Sequence, residues 1–168
     1  MRYLPVFLLL LGLTACGYHP PGQSGALSGG AKTVYIPLFV NRTTEPQLEN
    51  HLTSMVSEVL ARNGNLAQVE SRDHAETVLE GVINSYRTRP LSYDKQDNIS
   101  EYRSTMEVTA SLRQVSDGRL LWQRKITWEA DYPAANDKML QEDLEQQAID
   151  EISRRLAEEL YYHLLDDF

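Results

Sequence analysis

Two stretches of alternating sequence, joined by Asp117-Gly118, constrain the fold of this chain more than any other feature. Over residues 102–115, Met106, Val108, Ala110 and Leu112 fall on one side, and Glu107, Thr109, Ser111 and Arg113 on the other. A period of two belongs to a strand with one dry and one wet face. Over residues 119–130, Leu120, Trp122, Ile126 and Trp128 share a face that Arg124 interrupts. Asp-Gly between two such runs signals a hairpin, because a tight turn needs a positive φ that glycine adopts freely. The two strands are expected as antiparallel neighbours, and their common dry face needs a cover.

Two helical stretches can supply it. Residues 45–63 place Leu48, Leu52, Met55, Val56, Val59 and Leu60 on one face of a helix. Thr44 and Gln47 resemble a capping box, Pro46 suits a first turn, and Asn63-Gly64 suits a C-terminal stop. Residues 137–165 carry a second stripe: Leu140, Leu144, Ala148, Ile149, Ile152, Leu156, Leu160 and Leu164. Acids crowd the N-terminal half of this helix, where its dipole favours them in the first turn. Two more strands are expected. Residues 33–39 form one, with Pro37 putting it at an edge or ending it. Residues 77–88 form the other, with Val78, Val82 and Tyr86 on one face and Leu79 and Ile83 on the opposite one. The order β-α-β-β-β-α implies a two-layer α+β domain. Its four-stranded, mostly antiparallel sheet carries both amphipathic helices on one face and leaves the other wet.

The N-terminus is of another kind. Arg2 precedes an apolar stretch, residues 4–13. That is short of the roughly 20 residues a spanning helix needs, and it fits the core of a secretory signal. Leu13-Thr14-Ala15-Cys16 resembles the lipobox of bacterial lipoproteins. The resemblance implies a signal peptide at 1–15, cleaved before Cys16, with a diacylglyceryl group on the Cys16 thiol and acylation of the new amino terminus. Multiple acyl chains give stable anchoring where one does not. Gly17, in place of the Asp that tends to retain enteric lipoproteins, implies sorting to the outer membrane. Residues 16–31 hold Pro20, Pro21 and several glycines and read as a lipidated flexible tether. Residues 32–168 are expected as one α+β domain. Cys16 is the only cysteine, so no internal disulfide supports that domain, and packing must.

The chain has a net charge of −8, which argues against general nucleic-acid binding. The charge is uneven: residues 86–125 are locally basic, and residues 126–168 strongly acidic. No catalytic constellation stands out. His19, His51, His74 and His163 lack partners at metal-binding spacing, and no nucleophile elbow, phosphate loop or dinucleotide fingerprint occurs. The chain is therefore read as no enzyme, with no metal site and no cofactor beyond the lipid on Cys16. Asn41-Arg42-Thr43 and Asn98-Ile99-Ser100 match a glycosylation pattern that is incidental in a bacterial lipoprotein. Residues 87–103 matter more. Their middle is a polar loop flanked by Tyr86, Tyr93 and Tyr102, and cations beside tyrosines can engage phosphorylated lipid or sugar head groups.

Four features together resemble the LptE family of lipopolysaccharide-assembly lipoproteins. They are Cys16-Gly17-Tyr18-His19, the stretch from Glu101-Tyr102-Arg103-Ser104 through Thr105-Met106-Glu107-Val108, the hairpin Asp117-Gly118-Arg119, and the acidic, then amphipathic, final helix. The resemblance implies a non-enzymatic outer-membrane lipoprotein that plugs the LptD β-barrel and helps deliver lipopolysaccharide to the cell surface. It implies lipopolysaccharide contacts in the loop between the second and third expected strands and at the start of the last helix. The matching basic residues are Lys95 and Lys138, with Arg103 beside the loop. Lys95 stands between Asp94 and Asp97 where relatives tend to carry Arg. An alternative from another class is a periplasmic lipoprotein that activates a peptidoglycan synthase. The short tether favours the barrel partner.

Overall fold

The computed structural model describes residues 31–63 and 66–165. The expected signal peptide at residues 1–15, Cys16, nearly all of the expected tether and Gly64 lie outside the described residues. The elements in chain order are β1 (Thr33–Tyr35), β2 (Val40–Asn41), α1 (Leu48–Asn63), β3 (Ala67–Val69), a 3-10 turn (Arg72–His74), β4 (Thr77–Tyr93), β5 (Ile99–Gln114), β6 (Leu120–Pro133) and α2 (Lys138–Leu165).

The class is the expected α+β, but the described residues form six strands rather than four. The three long strands β4, β5 and β6 make an antiparallel meander. The added strands are short and parallel: β1 pairs with both β3 and β4, and β2 pairs with β4. One expected strand, residues 33–39, is thus two. It stops at Tyr35, before Pro37, and resumes at Val40 farther along the same side of β4. Pro37 has no N–H to give a ladder, so the break falls where the chain cannot donate. β1 nevertheless lies inside the sheet, because α1 returns the chain as β3 on its outer side.

The dry face holds Val34, Leu79, Ile83, Met106, Val108, Leu112, Trp122 and Ile126, and both helices close it with Leu48, Leu52, Val56, Leu60, Ile152, Leu156, Leu160 and Leu164. These residues form one hydrophobic cluster. Gly81 sits in the middle of β4 opposite Ala110. A Cβ there would lie 2.4 Å from the Phe39 ring, so glycine is what lets Phe39 fold over the gap between β1 and β2.

Local shifts correct the expected faces. Asn84 is an extra residue between the pairs Ile83–Val108 and Ser85–Glu107. This bulge flips the side-chain alternation and brings Tyr86 opposite Met106 on the dry face, away from Val78 and Val82. Leu121 is extra in the same way between Leu112–Trp122 and Arg113–Leu120, so Leu120 leaves the core face and is exposed. On α2 the buried stripe starts at Ala148; Leu140 is exposed.

The helix starts also differ from expectation. α1 begins at Leu48, with Gln47 at φ 64, and no Thr44–Gln47 capping box forms. Instead the Asn41 side chain organises residues 41–49. Its Nδ2 donates to Glu45 O and Glu49 Oε2, each at 2.8 Å, and its Oδ1 accepts from Thr43 N and Thr43 Oγ1. The incidental glycosylation pattern Asn41-Arg42-Thr43 is a structural turn. α2 is capped by Asp137, whose Oδ1 accepts from Leu140 N at 2.9 Å. Its first turn holds no acid.

Candidate functional site

The β4–β5 hairpin carries the segment singled out in the sequence. Strand pairing runs to Tyr93–Ile99, well past the expected limits at residues 88 and 102, so the loop shrinks to residues 94–98. The turn is built by Asp94. Its Oδ1 accepts from Gln96 N at 2.8 Å and Asn98 N at 2.9 Å, and Asp97 takes the left-handed conformation at φ 62. These hydrogen bonds, those from Asn98 foremost, hold the Asp94 carboxyl below its usual range. Lys95 stands exposed at the tip of this turn.

Arg103 lies on the wet face of β5 and is gripped by β6. Its Nε and Nη2 donate to Asp131 Oδ1 and Oδ2 at 2.6 and 2.7 Å, and Nη1 lies 3.0 Å from Glu129. Hydrogen bonding to Arg103 pulls the Asp131 carboxyl down, and the same pair raises the guanidinium. Lys138, at the start of α2, is almost fully exposed, with Glu142 one turn on at 3.4 Å. Ala134 N donates to Ser100 O, which brings the start of α2 to the hairpin end of the sheet. Lys95, Arg103 and Lys138 thus share one end of the molecule. They are not one cluster: Arg103 faces the wet side, and α2 packs on the dry side.

That end is held by a polar network on the dry face. Tyr86 Oη and Thr88 Oγ1 both donate to Glu145 Oε1 at 3.0 Å, and each lies against the buried Ser104 hydroxyl. Burial foremost, with the Glu145 carboxylate beside it, holds the Tyr86 phenol above its ordinary range. Tyr102 and Tyr132 stack next along the sheet, with ring centres 5.7 Å apart. The network ties the N-terminal part of α2 to the hairpin and replaces the apolar contact expected of Leu140.

On the wet face the ion pairs Lys125–Glu107 and Arg113–Glu80 and the Asn84–Thr109 hydrogen bond pave the sheet. Toward the hairpin lies a groove of about 430 Å³, lined by Arg87, Arg89, Leu91, Arg103, Glu107 and Glu129 among others. Arg87 and Arg89 were not singled out from sequence. The available signal was the Arg-Thr-Arg alternation, which on a strand puts both cations on one face. Among the described residues, no group of three or more histidine, cysteine or acidic side chains is placed to hold a metal ion. No helix there is long and apolar enough to cross a membrane.

A family model for lipopolysaccharide assembly, LptE, matches residues 31–164. The chain belongs to the LptE family. No curated protein sequence matches it. Solved lipoproteins share the fold of this LptE-family chain. Lipoprotein B from Nitrosomonas europaea is 16% identical with a TM-score of 0.60, covering 86% of this chain and 87% of its own. The rare lipoprotein B of Shewanella oneidensis is 18% identical with a TM-score of 0.54, covering 74% and 90%. A putative lipoprotein from Caulobacter crescentus is 14% identical with a TM-score of 0.55, covering 76% and 87%. At these identities the likeness establishes the architecture, and the family match places the chain in lipopolysaccharide assembly.

Proposed function

We propose that this chain is a lipid-anchored lipoprotein of the outer membrane that plugs an LptD-type β-barrel and assists lipopolysaccharide assembly at the cell surface, without catalysing a reaction. The family match over residues 31–164 carries the reading. The wet sheet face supports it. A plug in the lumen of a membrane barrel meets a polar wall, and this face offers Glu107, Thr109, Ser111, Arg113, Gln123 and Lys125. Cys16 acylation anchors the chain to the inner leaflet. Lys95, Lys138 and Arg103 contact lipopolysaccharide, with Lys95 best placed because its turn is self-supporting and its ammonium is free to reach out.

Pull-down of the tagged, full-length protein from detergent-solubilised membranes should recover a stoichiometric outer-membrane β-barrel. Recovery of a cell-wall synthase with no barrel would refute the proposal. Lys95→Asp should weaken lipopolysaccharide binding at matched salt and leave the melting curve in place. Unchanged binding would remove Lys95 from the contact.

A further inference from the structure

Most cations on the wet face of the sheet have an acidic partner, and Arg103 has two. Arg103 is satisfied by Asp131 and Glu129, Lys125 by Glu107 and Arg113 by Glu80. The side chains of Arg87 and Arg89 make no hydrogen bond or ion pair among the described residues. They are exposed on β4, opposite Thr105 and Arg103. Like charges directly across an antiparallel pair are destabilising, and Arg89 faces Arg103 in a protein whose net charge is −8. Asp131 and Glu129 offset that repulsion by holding Arg103, and the other two guanidinium groups stay open to an anion from outside.

The groove also says what kind of anion. Arg87 and Arg89 are alternate residues of one strand, so their side chains repeat at roughly 7 Å along β4. An extended polypeptide repeats its own alternate side chains at the same spacing. The groove walls include Glu107 and Glu129, held by Lys125 and Arg103, so both signs of charge line the groove. They tolerate a segment whose charges are of mixed sign. The way Arg103 takes Asp131 through two parallel hydrogen bonds shows the geometry a carboxylate would adopt here.

We infer that Arg87 and Arg89 form a docking site for an extended segment of the barrel wall that carries carboxylates at alternate positions. This inference rests on the barrel-partner reading. It deepens that reading by assigning the wet sheet face, at the hairpin end, to the contact. A barrel strand suits the site because its lumen-facing residues are polar and alternate.

The test uses the full-length lipoprotein expressed together with its barrel. A photo-reactive residue at Thr127, which lines the groove and is exposed, should cross-link to the barrel. The same probe at Gln147, exposed on α2, serves as the comparison. Arg87→Glu with Arg89→Glu should cut the Thr127 cross-link by about tenfold or more, since charge reversal sets two like-charge contacts in a partly dry interface. Arg87→Lys with Arg89→Lys should retain most of it. Circular dichroism melts confirm that both double variants fold. Reversing the acids at the mapped barrel position should restore the cross-link to the Glu variant. A barrel that co-purifies but cross-links only from Gln147, or a Thr127 adduct with glycolipid instead of protein, overturns the inference and leaves the proposed function standing. If no barrel co-purifies, both fall.

Discussion

Gly81→Ala should damage the fold by a calculable route. The new Cβ would lie 2.4 Å from Phe39 Cδ2 and Cε2 and 2.6 Å from Cγ. Carbon atoms prefer about 3.5–4.0 Å, so ring or strand must move by more than 1 Å. Neither moves easily. Phe39 is 2% exposed, its N–H donates to Thr53 Oγ1 at 3.0 Å, and β4 is paired on both sides at this level. Over-packing of this kind costs about 2–3 kcal/mol. For a domain of this size that lowers Tm by about 10 °C. Urea unfolding followed by tryptophan fluorescence, through Trp122 and Trp128, should show the midpoint falling by about 1 M with an unchanged slope. Combining Gly81→Ala with Phe39→Leu should cost less than the two single substitutions added together, because the smaller side chain relieves the overlap. If Gly81→Ala alone leaves the midpoint unmoved, or if the two substitutions simply add, the packing of Phe39 on Gly81 is not what joins β1 to β2.

Asn41→Ala should destabilise by about 1–3 kcal/mol in the same urea assay, because it strips the turn before α1 of its hydrogen bonds; retention of wild-type stability would return that turn to other residues. Asp131→Asn should cost about 0.5–1 kcal/mol at neutral pH, the pair being half-exposed. Because Arg103 holds the folded Asp131 below its usual 3.8, this contribution is present above that pH and is lost as pH falls through the lower folded value. Wild type and variant should therefore converge in acid, and a gap that persists there would contradict the assignment. Glu45→Gln should act oppositely. Burial foremost, then the Glu145 charge, raises the Glu45 carboxyl above 4.5. Its ionisation opposes folding at pH 7, so the variant should be the more stable there and lose its advantage on acidification, as read by melts across pH.

The central hairpin was legible because one of its faces is dry. Met106, Val108, Ala110 and Leu112 on β5 mark an inside that the sequence period reports, and Asp117-Gly118 closes it with Gly118 at φ 71 and Arg119 N on Asp117 Oδ1. The short strands were not legible. β3 is three residues long and holds its shape by pairing with β1, a contact 34 residues away in register. The ends of β4 and β5 were read as loop for a different reason. There Arg89, Pro90, Ser92, Ser100 and Glu101 leave no buried apolar face, and two register shifts break the alternation, so no hydrophobic period shows. Single-residue bulges at Asn84 and Leu121 reassigned Tyr86 and Leu120, because one extra residue exchanges the faces of the strand on its two sides. At the candidate site, the basic loop was visible as composition. Arg89 joined Arg87 as an exposed pair on one face only once β4 was known to continue past residue 88.

The proposed action in lipopolysaccharide assembly through a barrel partner can be tested in cells. The most direct measurement is surface-exposed lipopolysaccharide in cells depleted of the chain, scored together with the amount of folded outer-membrane barrel. Both should fall together, and re-expression of the full-length chain should restore both. Surface lipopolysaccharide and folded barrel that stay at their original levels through complete depletion would contradict the account.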